Sequence, residues 1–190
     1  NEYDRINDIE LLENIVDNEN NPLDEDINPK ESDAKKSLNV VWEGSQFINH
    51  SLALINREHS YNIIKTGLTN VTIVPFEDDT FDAGDNEKYK ILKSYDIKFK
   101  PDVPDEIASL PYVWIRHQWP PKAEPPKGAK WIIMQPWEYS RLRKDVAEIL
   151  KMADEVWTPS AFSRQSIIDS GIDNEKVQII PNGIDPKLFK

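Results

Sequence analysis

From Leu38 onward the chain settles into a rhythm that few folds can satisfy: short apolar runs alternate with amphipathic stretches, and the connections between them are brief. Leu38–Trp42 reads as a buried strand, closed by a turn at Glu43, Gly44 and Ser45 and followed by a helical pattern through Leu52, Ile55 and His59. Val71–Val74 is a second strand, and 75–88, dense in acids, is expected to be a surface loop. Tyr112–Ile115 and Trp131–Met134 are further strands. Between Glu138 and Ala153 the apolar residues Leu142, Val146, Ile149, Leu150 and Ala153 describe one helix face. Glu155–Trp157 is a strand, Ser160 an N-cap, Ala161–Ser170 a helix stopped by Gly171, and Val177–Ile180 a last strand. Strands alternating with helices point to an α/β domain with a mostly parallel sheet flanked by helices.

The charge is not spread evenly. The 190 residues carry a formal −11, but residues 1–37 hold twelve acids against four bases, or −8. The other 153 residues are nearly balanced, with 22 acids and 19 bases. Residues 1–37 are therefore read as an acidic leader, partly disordered, and residues 38–190 as the folded domain. Ile6, Ile9, Leu12, Ile15 and Val16 recur at roughly helical spacing, so a short docking helix within the leader is the rival reading. No basic stripe exists to track phosphates, which argues against nucleic acid as a partner. With no Cys, disulfides, thiolate metal sites and a cysteine nucleophile are excluded. No apolar run is long enough to span a membrane and no signal-peptide pattern opens the chain, so a cytoplasmic location is expected. Arg141, Arg143, Lys144 and Lys151 are taken as the solvated face of the 138–153 helix rather than a membrane-docking one. The first residue is Asn1, not Met, so the chain is expected to be a piece of a longer product.

In open parallel sheets, ligands bind at the carboxyl ends of the strands. That rule directs attention to the loops at 43–50, 116–121, 135–139 and 158–163. In the first, Gly44 lets backbone N–H groups approach a ligand, although a structural turn explains it equally well. His117 lies in Trp114-Ile115-Arg116-His117-Gln118-Trp119-Pro120-Pro121, where an imidazole, a guanidinium and an aromatic face fall within a few residues. Such a set can shuttle a proton, grip an anion and stack on the apolar side of a sugar ring. The competing reading is a Pro-stiffened corner with Trp119 packed in the core. Glu138 is expected at a helix N-terminus, where a carboxylate complements the macrodipole with or without a catalytic duty. His50 belongs to the loop-facing end of the first helix, and His59 is read as ordinary surface. No metal site is expected: the single Asp-x-Asp, at Asp24-Glu25-Asp26, follows no strand.

The last third carries a resemblance. Val156-Trp157-Thr158-Pro159-Ser160-Ala161-Phe162-Ser163-Arg164, then Gly171, then 175–185 reading Glu-Lys-Val-Gln-Ile-Ile-Pro-Asn-Gly-Ile-Asp, is similar to the close of the N-terminal domain of group 1 retaining glycosyltransferases. The stretches at 116–121 and 135–139, with 55–58 reading Ile-Asn-Arg-Glu, resemble a bacterial subgroup of that family, and the similarity covers residues 38–190. The resemblance implies a GT-B architecture of two Rossmann-like domains facing across a cleft. This chain would be the acceptor-side half, with a nucleotide-sugar donor as co-substrate and no essential metal. Gly44 and Ser45 would border the acceptor and the donor phosphates, and His50 and Arg57 would lie along the acceptor-side helix; Arg116 and Trp119, from their residue types in the His117 loop, are expected acceptor contacts, with His117 and Glu138 as the catalytic candidates. The family's site histidine follows a central strand at a position that here reads Gln135-Pro136-Trp137-Glu138, and His117 stands in the preceding loop. The family's downstream Glu-x7-Glu is absent from its place, so a C-terminal donor-binding domain or partner chain is expected to complete the enzyme. A sugar-containing acceptor is the expected partner. The alternative is a non-catalytic carbohydrate-binding or scaffold module that reuses the fold.

Overall fold

The computed structural model describes residues 36–80, 86–100, 102 and 105–184, without the side chains of Glu106 and Ile107, all within a unit spanning Glu31–Lys190. Residues 1–35 of the expected leader lie outside the described residues; at its end the Ser37 N–H donates to the Leu68 carbonyl at 3.3 Å. Six strands form one sheet: β1 (Leu38–Gly44), β2 (Thr69–Pro75), β3 (Tyr112–His117), β4 (Lys130–Met134), β5 (Glu155–Thr158) and β6 (Val177–Ile179). Every pairing is parallel, and the spatial order is β2-β1-β3-β4-β5-β6. Helices α1 (Ser51–Thr66), α2 (Glu87–Ser94), α3 (Asp105–Ala108), α4 (Lys144–Met152) and α5 (Ala161–Asp169) make the crossovers, giving the expected Rossmann-like α/β fold.

Strand periodicity explains the two cores. Along β4, Trp131 and Ile133 face one way and pack with Val146, Leu150, Val156 and Ile167 under α4 and α5. Ile132 and Met134 face the other way and join Val40, Trp42 and Ile115 beneath Ile55 and Ile63 of α1. A third cluster, Phe47, Ile64, Val71, Ile73 and Leu92, binds α1 and α2 to the β2 edge.

Three local expectations change. Glu43 belongs to β1 rather than to a turn, because its register partner across the sheet is Arg116, which neutralises it. Glu87 and Lys88 open α2 instead of closing an acidic loop; Asn86 accepts a hydrogen bond from the Tyr89 N–H as its N-cap. The helix expected from Glu138 begins only at Lys144. The Leu142 N–H donates to Ser170 Oγ, and Trp137 Nε1 donates to the Arg141 carbonyl, so 138–143 is held as a loop. Ser160 does cap α5, accepting from the Ser163 N–H at 3.1 Å.

Candidate functional site

The chain runs β1 to β2 on one side of the sheet, then crosses back to lay β3 on the other flank of β1. Two neighbouring loops thus leave the sheet in opposite directions at the β1/β3 boundary, which is where a crevice opens in doubly wound sheets. The last residues of the two strands, Gly44 and His117, are register partners at that point. A Cβ on Gly44 would sit 2.1 Å from the His117 carbonyl oxygen and 2.8 Å from Asn56 Nδ2, so only glycine permits this approach.

Asn56, fully buried on α1, ties the boundary together. Trp42 Nε1–H donates to its Oδ1 at 2.9 Å, which fixes the amide orientation, since the indole can only donate. Its Nδ2 donates to the carbonyls of Ser45 at 2.8 Å and His117 at 3.0 Å. His117 Nδ1 lies 2.7 Å from the same Oδ1 and must therefore be the protonated nitrogen. The other nitrogen, Nε2, is left with a bare lone pair and no partner within the protein. Burial lowers the His117 pKa to about 4, and the nearby His59 pushes in the same direction, so the ring is neutral near pH 7.

Beside His117 an open cleft of about 210 Å³ runs between the ends of β3 and β4, with Leu52 of α1 on its flank. Gln118 and Gln135 line it, both nearly buried, and the Oε1 of each has no partner within the protein. The opposite wall is aromatic. Trp119 and Trp137 stand 6.0 Å apart between ring centroids, and Tyr139 meets Trp137 edge-on at 5.8 Å. Trp119 is 43% and Tyr139 70% exposed, a display of large rings that a solvated corner does not require. Glu138 stands exposed on the lip of the same cleft, in the loop and not at a helix N-terminus.

The remaining expected site residues are occupied elsewhere. Arg116 is not free to grip an anion: its Nε donates to Glu43 Oε2 at 2.8 Å, and its Nη1 donates to the carbonyls of Lys122 and Glu124. Trp114 Nε1 donates to the same Glu43 oxygen, and the guanidinium lies over the Trp131 ring. The pair is buried because its charges cancel in register; its work is to anchor the Pro-rich loop. Arg57 braces the loop after β1 through the carbonyls of Gln46 and Ile48. Ser45 donates its hydroxyl to Glu77 Oε1 at 2.8 Å, and His50 caps α1 with Nδ1 while Nε2 faces the same Glu77 oxygen at 3.8 Å. None of Gly44, Ser45, His50, Arg57 or Arg116 lines the cleft; His117, Trp119 and Glu138 do. His59 is not simple surface, since it stacks on Trp42 at 5.5 Å.

The sequence reading missed Asn56, Gln118, Gln135, Trp137 and Tyr139 as individual site residues. All but Asn56 sit in the 116–121 and 135–139 loops already singled out, where Gln, Trp and Tyr after a strand were the available signal. Asn56 stood only within the 55–58 stretch of the resemblance, with no role of its own. Among the described residues no group of three or more His, Asp or Glu is gathered to hold a metal ion, and no helix is long and apolar enough to cross a membrane.

No curated protein and no solved structure matches the chain. Residues 106–188, which run from α3 past β6 and include every cleft residue except Leu52, match the family model of Glycosyltransferase Family 4, and this supports a glycosyltransferase-like function for the domain.

Proposed function

We propose that this domain is the acceptor-binding half of a retaining glycosyltransferase, which takes a sugar-containing acceptor in the cleft beside His117. The observation that carries the reading is the overlap between the family match and the cleft between the ends of β3 and β4. An aromatic wall suits the apolar face of a pyranose, and buried acceptor atoms suit its hydroxyls. The diphosphate of a nucleotide sugar wants Arg or Lys, and among the described residues neither lines the cleft. The donor site is therefore assigned to a second domain or a partner chain.

In the transfer, the acceptor oxygen bonds to the anomeric carbon on the face from which the nucleoside diphosphate departs, so configuration is kept. The electron pair of the broken bond leaves with the diphosphate, whose oxygen takes the acceptor proton. His117 Nε2 orients the acceptor hydroxyl by accepting its hydrogen bond, and Glu138 supplies negative charge at the cleft lip. Stabilisation of the departing phosphate falls to the donor half.

Titration of residues 1–190 with nucleotide sugars and with simple glycosides tests the assignment. Binding of glycosides, quenching the fluorescence of Trp119 and Trp137, with neither nucleotide-sugar binding nor release of free nucleotide, is the expected result. Turnover of any nucleotide sugar by this chain alone would overturn the division of labour.

A further inference from the structure

We infer that the cleft selects an uncharged, hydroxyl-rich ligand, a neutral pyranoside, and rejects acceptors that carry a carboxylate or a phosphate. The inference rests on the reading of the cleft as an acceptor site and adds the charge class of what enters it.

Three cleft-lining residues, His117, Gln118 and Gln135, are 1%, 4% and 4% exposed, and each keeps one polar atom with no partner within the protein. All three orphans are acceptors. Asn56 fixes the His117 tautomer, so Nε2 offers only a lone pair. Gln135 Nε2 donates to the Pro136 carbonyl at 2.9 Å, which leaves its Oε1 as the unpaired end. The third is Oε1 of Gln118. Buried acceptors go unpaired at a cost until a donor arrives, and a donor is what a hydroxyl has and an ionised carboxylate or phosphate lacks. An anion reaching any of these three atoms would meet a lone pair.

The surrounding charge reinforces the choice. Among the described residues, the one formally charged side chain on the cleft is Glu138, of the same sign as the anions in question. The nearest guanidinium along the chain, Arg116, is already paired with Glu43 and two loop carbonyls. A cationic amine would find donors' partners here, but the buried acceptors are neutral, and Glu138 is exposed and solvated. A buried ammonium needs a closer counter-charge than that.

The experiment is a tryptophan-fluorescence or NMR titration of residues 1–190 at neutral pH. The probes are the methyl glycosides of glucose, galactose and mannose, the matching uronates, the 6-phosphates and methyl glucosaminide. At least one neutral glycoside is expected to bind, with its uronate and 6-phosphate weaker by about tenfold or more. Replacing Gln135→Leu should weaken the neutral glycoside about fivefold, the loss of one hydrogen bond. If a uronate or phosphate binds as well as its neutral counterpart, the charge selection is wrong while the saccharide reading stands. Tighter binding of the protonated amine overturns it equally. If none of the glycosides binds, the saccharide reading itself fails and takes the inference with it.

Discussion

Asn56→Ala is the most informative single change in this domain. The side chain makes four buried hydrogen bonds: from Trp42 Nε1 and His117 Nδ1 to its oxygen, and from its nitrogen to the carbonyls of Ser45 and His117. At about 1 kcal/mol net for each, removal costs about 4 kcal/mol. The two stranded N–H donors make that a conservative figure, because a buried donor without an acceptor costs ~1–3 kcal/mol by itself. Against a typical domain stability of about 5–15 kcal/mol, the variant should still fold but with its urea midpoint sharply lowered. Equilibrium urea unfolding followed by tryptophan fluorescence measures this directly. A loss below about 1 kcal/mol with an unchanged m-value would refute the assignment of Asn56 as the tie between the strand ends. Asn56→Asp provides the internal control. It keeps the acceptor oxygen for Trp42 and His117 but turns the donor into an oxygen facing two carbonyls at 2.8 and 3.0 Å. It should also destabilise, and an ionised carboxylate beside the ring should raise the His117 pKa, a shift that the alanine variant does not share.

The acid response of the wild type follows from the same residue. His117 has a folded pKa of about 4 against 6.5 for the free side chain, so the unfolded state binds the extra proton between those values. Stability should be complete above pH 6.5 and fall by about 3 kcal/mol as the pH drops through 6.5 to about 4, with half-buried His59 acting in the same direction. NMR titration of the His117 ring checks it, and titration above pH 6 would contradict the burial. Arg116→Met should cost about 3–5 kcal/mol in chemical denaturation, because it leaves the Glu43 carboxylate buried without its partner. Adding Glu43→Gln to that variant should restore part of the loss, and a double variant no more stable than the single one would show that the charge pairing is not the cause.

What could be read in advance depended on how local the determinant was. β4, β5 and α5 are each announced by their own residues: an apolar run, a Ser at the cap, a Gly past the end. Glu43 was taken for a turn residue because a charge next to a glycine normally marks solvent. Its burial is decided by Arg116, 73 residues away, through a register that no window on the sequence contains. Separation also hides Asn56, whose neighbours on α1 look like any amphipathic helix while its partners come from β1, 14 residues back, and β3, 61 residues on. The late start of α4 has a similar origin, since the Leu142 N–H is claimed by Ser170 from α5's far end. Trp119 and Glu138 line the cleft from loops that follow strand ends, which are locally legible; Arg116 and Ser45 are engaged by Glu43 and Glu77, 73 and 32 residues away, which no local window shows.

The junction of Gly44, Asn56 and His117 also constrains how the molecule comes into being. β1 and α1 emerge early in synthesis, but the hub on α1 cannot be satisfied until His117 has been made and β3 has inserted beside β1. Pairings across such sequence separations form late, after loop-closure entropy has been met. Until β3 docks, a nascent chain lacks the two Asn56 bonds to His117 and leaves the β3-facing edge of β1 open to off-pathway association. The cleft needs β3 in place between β1 and β4, so any ligand that fits it binds only molecules in which β3 has docked. Such a ligand would hold the finished state by mass action.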